Sequence, residues 1–264
     1  MQIPLSRPDI TGLEIDAILD VLKTPHLSLG PRLPEFERMV ADYAGARYGI
    51  AVNSGTSGLH LCIKSLGIGP GDEVITTPFS FIATSNCILF ENATPVFADI
   101  EADSFNIDWR QIEEIITGRT RAILPVHVFG VPANMPAIQR VAKKYGLKVI
   151  EDAAEALGAE MDGQKVGNLG DCGVFAFYPN KQITTGEGGI ILTDSEEIDY
   201  LCRSLRNQGR GNNGQWLQHE RLGYNYRLSD INCALGIAQM QRIEEILEKR
   251  RQVAVWYETE LNDV

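Results

Sequence analysis

The chain has 264 residues, of which 44% are hydrophobic and 22% charged, and this is enough apolar material for one large folded core. Its 35 acidic residues outnumber 24 basic ones, and the net charge of −11 argues against nucleic acid and anionic membranes as partners. The five cysteines form no CxxC pair, and the four histidines show no metal-ligand spacing. We therefore expect reduced thiols in a cytoplasmic protein, with no metal site, signal peptide or transmembrane helix.

Seven short segments rich in Val and Ile are predicted to be strands. They lack a strict alternation of polar and apolar residues, which is typical of strands that helices cover on both faces. In chain order they are Tyr48–Val52, Glu73–Thr76, Pro95–Ala98, Ala122–Val126, Lys148–Ile150, Gly173–Phe177 and Gly189–Thr193.

Helical patterns lie between and beside these strands. Thr11 is the predicted N-cap of the first, with Glu14 placed to complete a capping box. The predicted helices are Thr11–Leu22, Leu33–Tyr43, Ser57–Leu66, Ile82–Phe90, Asp108–Ile116, Met135–Tyr145 and Glu196–Leu205, followed by one long run from Asp230 to Leu261. The alternation predicts an α/β fold of three layers, α/β/α, around a mostly parallel sheet of about seven strands.

Ligands in open α/β sheets bind at the carboxyl ends of the strands, and three segments there carry candidate chemistry. The sequence Asn53-Ser54-Gly55-Thr56 leads into a helix whose first amides can bind a phosphate, although an ordinary capped helix would look the same. Glu151 and Asp152 end another strand, where one of them can bind a metal, act as a base or pair with a ligand cation, or both can be solvated.

The third segment carries Lys181, between an aromatic strand and a glycine-rich turn. A partly desolvated lysine can act as a nucleophilic amine, whereas most single lysines are surface charges. The conjunction of the three segments favours the chemical interpretation over the surface one.

Six ordered motifs extend this pattern over essentially the whole chain. They are Leu29-Gly30-Pro31, Asn53-Ser54-Gly55-Thr56, Gly71-Asp72-Glu73-Val74-Ile75, Glu151-Asp152-Ala153-Ala154, the segment around Lys181, and Gly223-Tyr224-Asn225-Tyr226-Arg227-Leu228. With them the sequence resembles the sugar-nucleotide aminotransferases of the DegT/DnrJ/EryC1/StrS family, which have the aspartate-aminotransferase type I fold.

The resemblance implies that Lys181 binds pyridoxal 5'-phosphate (PLP) as a Schiff base and moves protons between cofactor and substrate. Asp152 would pair with the pyridinium nitrogen, and Gly55 and Thr56 would hold the phosphate. Phe81 would stack on the ring, with simple core packing as the alternative. Asn225 would reach the phosphate of the neighbouring subunit, which implies a homodimer with a shared active site.

Two positions depart from the commonest family pattern. Ala176 stands where many members have a serine that contacts the phosphate, so one cofactor hydrogen bond is expected to be missing. Glu155 stands where Gln or His is frequent near the cofactor, and the sequence leaves its role open.

By resemblance, the expected reaction transfers an amino group from glutamate to a nucleotide-linked keto-sugar, with a 4-keto-6-deoxyhexose as the favoured sugar, in polysaccharide or amino-sugar biosynthesis. We expect residues 1–230 to form a large PLP-binding domain. Residues 231–264 are expected to form a long helix leading toward a small C-terminal domain that is largely absent. A PLP-dependent sugar dehydratase of the same fold, whose members carry His in place of the lysine, is one alternative. A catalytically incomplete fragment or a non-enzymatic regulator is another.

Overall fold

The computed structural model describes residues 4, 6–211 and 218–262. Its strands are, in chain order, β1 (Tyr48–Val52), β2 (Glu73–Thr76), β3 (Thr94–Phe97), β4 (Thr120–Ile123), β5 (Lys148–Asp152), β6 (Glu160–Met161), β7 (Gln164–Lys165), β8 (Cys172–Ala176) and β9 (Gly189–Thr193). All seven predicted strands are present, with ends that differ from the prediction by one to three residues at most. The short hairpin of β6 and β7 was not predicted.

Seven of these strands form one sheet in the order β1-β9-β8-β5-β4-β2-β3. β9 runs antiparallel to both of its neighbours, β1 and β8, and the other neighbouring pairs are parallel. The carboxyl ends of β1, β2, β5 and β8 therefore lie at the same edge of the sheet, and it is there that a ligand site is expected in such a fold.

The helices are α1 (Gly12–Leu22), α2 (Arg32–Ala44), α3 (Gly55–Ser65), α4 (Ala83–Phe90), α5 (Trp109–Ile112), α6 (Met135–Tyr145), α7 (Glu196–Arg206), α8 (Asp230–Gln241) and α9 (Ile243–Glu260). The capping box predicted for α1 is formed by Thr11 and Glu14. Within the described ranges, no helix is long and apolar enough to cross a lipid bilayer.

Side chains alternate between the two faces of the sheet and enter separate cores. On one face, Phe175 and Leu192 pack with Phe36 of α2 and Ile237 of α8. On the other face, Val174 and its neighbours pack with α3 and α7. The sheet is thus enclosed between two helical layers, as the absence of polar alternation in its strands predicted.

The prediction of one long helix from Asp230 to Leu261 is wrong, because the run is broken into α8 and α9. At Arg242 the backbone leaves the helical conformation, with φ −113° and ψ 13°. The Arg242 guanidinium lies 3.0 Å from an Asp9 oxygen and 2.8 Å from a Glu14 oxygen. These two ion pairs link the residue at the break to the N-terminal segment of the chain. Apolar residues continue on both sides of the break, and for that reason the sequence pattern does not reveal it. The domain limits remain a prediction.

Candidate active site

A pocket of about 740 Å³ opens at the carboxyl ends of β1, β2, β5 and β8. Five of the six predicted site residues line it: Gly55, Thr56, Phe81, Asp152 and Lys181. They come from four separate segments of the chain, and the parallel strands bring them to one place.

The first turn of α3 forms one wall of the pocket. Ser54 is the N-cap of this helix, and its hydroxyl oxygen accepts a hydrogen bond from the Ser57 amide at 3.1 Å. The amides of Gly55 and Thr56 precede Ser57 in the same turn, where helix geometry leaves N–H groups without an intrahelical acceptor. Gly55 is packed so closely against Ala176 of β8 that an added Cβ would lie 2.8 Å from the Ala176 Cβ. Gly55 and Thr56 line the pocket, and N–H groups at the start of a helix suit an anion.

The two adjacent carboxylates at the end of β5 have different surroundings. Glu151 is fully buried, and its oxygens accept hydrogen bonds from the backbone amides of Gly167, Leu169 and Gly170 at 2.6–2.8 Å. It also lies 2.9 Å from Nε2 of His127. Because the other ring nitrogen of His127 accepts from a backbone amide, Nε2 carries the proton and donates it to Glu151. Glu151 is therefore structural.

Asp152 points into the pocket. One of its oxygens accepts from the Thr84 hydroxyl at 2.7 Å, and the other accepts from the Ala154 amide at 3.2 Å. Burial raises the pKa of Asp152 above its ordinary value, although the two hydrogen bonds and the nearby His127 and Lys181 oppose this effect. A buried carboxylate of this kind favours a cationic partner in the pocket.

Lys181 reaches the pocket from the loop that follows β8. Its ammonium nitrogen lies 2.8 Å from a carboxylate oxygen of Glu155, and 16% of its side chain is exposed. The Glu155 side chain is half-exposed and lines the same pocket. The structure thus gives Glu155 a contact that the sequence did not reveal.

Phe81 lies at the mouth of the pocket with 78% of its surface exposed, which rules out its packing in the core of this chain. Asn225 is the one predicted site residue that does not line the pocket. It is exposed beside the sheet edge at β1, where its backbone carbonyl accepts a hydrogen bond from Asn53 at 3.4 Å. Its proposed reach into a partner's site stays a prediction.

Thr84 was missed by sequence reasoning, although it donates directly to Asp152. It lies in α4, 68 positions before Asp152, and nothing in its local sequence marks it. Ser80 continues the same chain of hydroxyl groups, with 2.7 Å between its oxygen and that of Thr84. Both follow the carboxyl end of β2, and only this position in the fold could have suggested them.

The profile of the DegT/DnrJ/EryC1/StrS aminotransferase family matches residues 8–264. GDP-perosamine synthase of Caulobacter vibrioides is 44% identical over 261 residues, which are 98% of this chain and 70% of that protein. Helicobacter pylori PseC, an aminotransferase involved in the biosynthesis of pseudoaminic acid, superposes with a TM-score of 0.95 at 32% identity, over 100% of this chain and 72% of its own.

A Streptococcus pneumoniae protein described as a sugar aminotransferase, Spr1654, superposes in its PLP form with a TM-score of 0.95 at 30% identity, over 100% of this chain and 72% of its own. These matches confirm the predicted fold class and the predicted resemblance. The chain belongs to the DegT/DnrJ/EryC1/StrS aminotransferase family.

Proposed function

We propose that this chain is a PLP-dependent aminotransferase that transfers an amino group from glutamate to a nucleotide-linked keto-sugar. The family and the named activities of its relatives, which include GDP-perosamine synthase, support this class of substrate. A 4-keto-6-deoxyhexose is our preferred sugar, within polysaccharide or amino-sugar biosynthesis. A cytoplasmic location agrees with five cysteines that are all free and buried.

The pocket residues fit the phosphate, the ring nitrogen and the aldehyde of PLP. The first turn of α3, with Gly55 and Thr56, suits a phosphate. Asp152 is a buried carboxylate that suits a protonated pyridine nitrogen, and Lys181 offers an amine to the aldehyde. Because Ala176 has no hydroxyl, the phosphate would lack the hydrogen bond that a serine at this position would give.

When bound, PLP carries the amino group between donor and acceptor and withdraws electrons from the carbon that loses a proton. Asp152 keeps the ring nitrogen protonated, and this charge strengthens the withdrawal. Lys181 holds and returns the proton at the substrate carbon. Phe81, at the pocket mouth, would cover the cofactor ring and exclude water there. A sugar dehydratase is disfavoured because Lys181 occupies the position where those relatives carry His.

We also propose a homodimer in which the partner's Asn225 completes the phosphate site. Exposed apolar side chains stand near the mouth of the pocket, among them Phe81, Ile82 and Phe129. Apolar area of this kind on a soluble protein commonly marks an interface, and a second copy of the chain would cover it.

The observation that carries the proposal is that Lys181 and the buried Asp152 face one pocket together with the open first turn of α3. The test is the visible absorbance spectrum of the purified protein mixed with PLP. We expect a Schiff-base band in wild type that Lys181→Ala abolishes, and bleaching of this band by glutamate. Identical spectra for wild type and Lys181→Ala would refute the assignment of the lysine.

A panel of UDP-, GDP- and dTDP-linked keto-sugars, assayed with glutamate, then identifies the acceptor. Glutamate alone releases at most one equivalent of 2-oxoglutarate per site, and we expect release beyond one equivalent only with a nucleotide-linked keto-sugar. If glutamate bleaches the band and no sugar of the panel restores it, the cofactor assignment stands and the proposed acceptor class is wrong.

A further inference from the structure

The loop that carries Lys181 forms hydrogen bonds with residues of α8 and α9. Arg250 of α9 donates through Nη2 to the carbonyl oxygen of Lys181, and to that of Asn180 at 3.3 Å. At the other end of the loop, the Thr184 amide donates to the side chain of Gln239 in α8 at 3.3 Å. The catalytic loop therefore depends on residues beyond 230 for its conformation.

Arg250 acts on the two peptide units that flank the Cα atom of Lys181. The carbonyl of Asn180 belongs to the peptide unit before this atom, and the carbonyl of Lys181 belongs to the unit after it. Since each peptide unit is planar, a donor that holds both carbonyls fixes the two backbone dihedrals of Lys181. Those dihedrals set the direction in which the side chain leaves the backbone.

The surroundings of Arg250 suggest that surface charge pairing is not its role. Within the described ranges, no carboxylate forms an ion pair with it, and burial lowers the pKa of its guanidinium. Both Arg250 and its neighbour Arg251 are exposed residues, but Arg251 pairs with Glu248 at 3.2 Å within the same helix.

On the pocket side, the contact that orients the amine is the ion pair with Glu155. This pair has to break when the amine reacts, so it cannot hold the lysine during the chemistry. The contacts of Arg250 involve only backbone carbonyls and persist through such a change.

We propose that Arg250 is a positioning residue for Lys181, which aims the amine at the carbonyl carbon of the cofactor by fixing the backbone on both sides of it. The inference rests on the function proposed for Lys181. In the step concerned, the lysine amine adds to the PLP aldehyde and one water molecule leaves. Borohydride then reduces the C=N bond to a stable secondary amine.

The test measures the rate at which PLP becomes trapped at Lys181 by borohydride, with the site of attachment read by mass spectrometry. We expect Arg250→Gln to slow trapping about tenfold, the size expected for losing hydrogen bonds from a charged donor. Arg250→Lys retains one point donor and should give an intermediate rate. Arg251→Gln is the matched control and should trap PLP at the wild-type rate.

A second measurement separates positioning from a general effect on the pocket. In the Lys181→Ala background PLP binds without a covalent bond, and adding Arg250→Gln should leave its dissociation constant unchanged. A tenfold loss of PLP affinity on adding Arg250→Gln in this background would overturn the inference, and so would wild-type trapping rates in both Arg250 variants. If wild type itself forms no adduct at Lys181, the proposed function fails first.

Discussion

Glu151 and Asp152 are consecutive residues at the end of β5, and their carboxylates lie on opposite faces of the sheet. Glu151 accepts three backbone N–H groups and one from His127, whereas Asp152 accepts one backbone N–H group and the Thr84 hydroxyl beside the pocket. The alternation of side chains along a strand produces this separation. One carboxylate is satisfied by the fold, and the other is available to a ligand.

The two carboxylates should respond oppositely to neutralisation in the PLP-free protein. Asp152→Asn removes a poorly compensated buried charge and should raise the melting temperature by a few degrees, on the scale of about 3 °C per kcal/mol. Glu151→Gln places an amide against backbone donors and should lower stability by about 3 kcal/mol. Thermal unfolding of both variants without PLP checks this. Equal shifts of the same sign would contradict the assigned roles.

The advantage of Asp152→Asn should also depend on pH. Because burial raises the pKa of Asp152, the folded chain holds this proton more tightly than the unfolded chain. Its contribution favours folding at low pH and is lost as pH rises through the folded pKa. The melting temperatures of wild type and Asp152→Asn should therefore diverge as the pH rises above about 4, the ordinary pKa of an aspartate. Saturating PLP should reverse the order at neutral pH, because the pyridinium then pairs with the carboxylate.

The sequence predicted the residues whose role depends on a strand end or a helix start. Gly55, Thr56, Asp152 and Lys181 all belong to such local motifs, and the parallel sheet gathers them. Without the family resemblance, the local sequence could not decide between Glu151 and Asp152, because their difference arises from where distant loop amides lie. It also gave no sign of Arg250, whose partners are 69 and 70 positions away in the chain.

The ion pair between Glu155 and Lys181 should slow formation of the covalent adduct with PLP. The amine nitrogen lies 2.8 Å from a Glu155 carboxylate oxygen, and this contact has to break before the amine can add to the aldehyde. Glu155→Gln should speed borohydride-trapped adduct formation about threefold and change stability by less than about 1 kcal/mol, since the Glu155 side chain is half-exposed. Glu187→Gln, which alters another carboxylate that lines the pocket, is the control. The same acceleration in both variants would mean that only net charge matters.

Hybrid dimers test whether Asn225 serves the partner's site. Alone, Lys181→Ala should abolish the adduct and Asn225→Ala should weaken cofactor retention. In a hybrid of the two, the subunit that keeps Lys181 would receive an intact Asn225 from its neighbour, so one complete site would form. Differently tagged subunits, co-expressed and purified through both tags, should show adduct at half of the sites with wild-type affinity. Weakened affinity at the site that keeps Lys181 would place Asn225 in its own subunit's site.

The affinity for PLP should depend on the close contact between Gly55 and Ala176. A Cβ on Gly55 would lie 2.8 Å from the Ala176 Cβ, so Gly55→Ala has to push the first turn of α3 away from β8. We expect PLP affinity to fall about tenfold, because the amides proposed to bind the phosphate move with this turn. Gly12→Ala is the matched control, since Gly12 is also the first residue of a helix and an added Cβ meets no atom within 4 Å.

The double variant Gly55→Ala/Ala176→Gly tests whether the contact between these two residues causes the loss of PLP affinity. Removing the Ala176 Cβ restores the space that the new methyl group occupies, so PLP affinity should return to within about twofold of wild type. The Ala176→Gly variant alone should bind PLP nearly normally, because Ala176 offers no hydrogen bond to the phosphate. The dissociation constants of the four proteins form a double-mutant cycle. Additive losses in the cycle would show that Gly55 is needed for the close approach of the phosphate itself and not for the packing of α3 on β8.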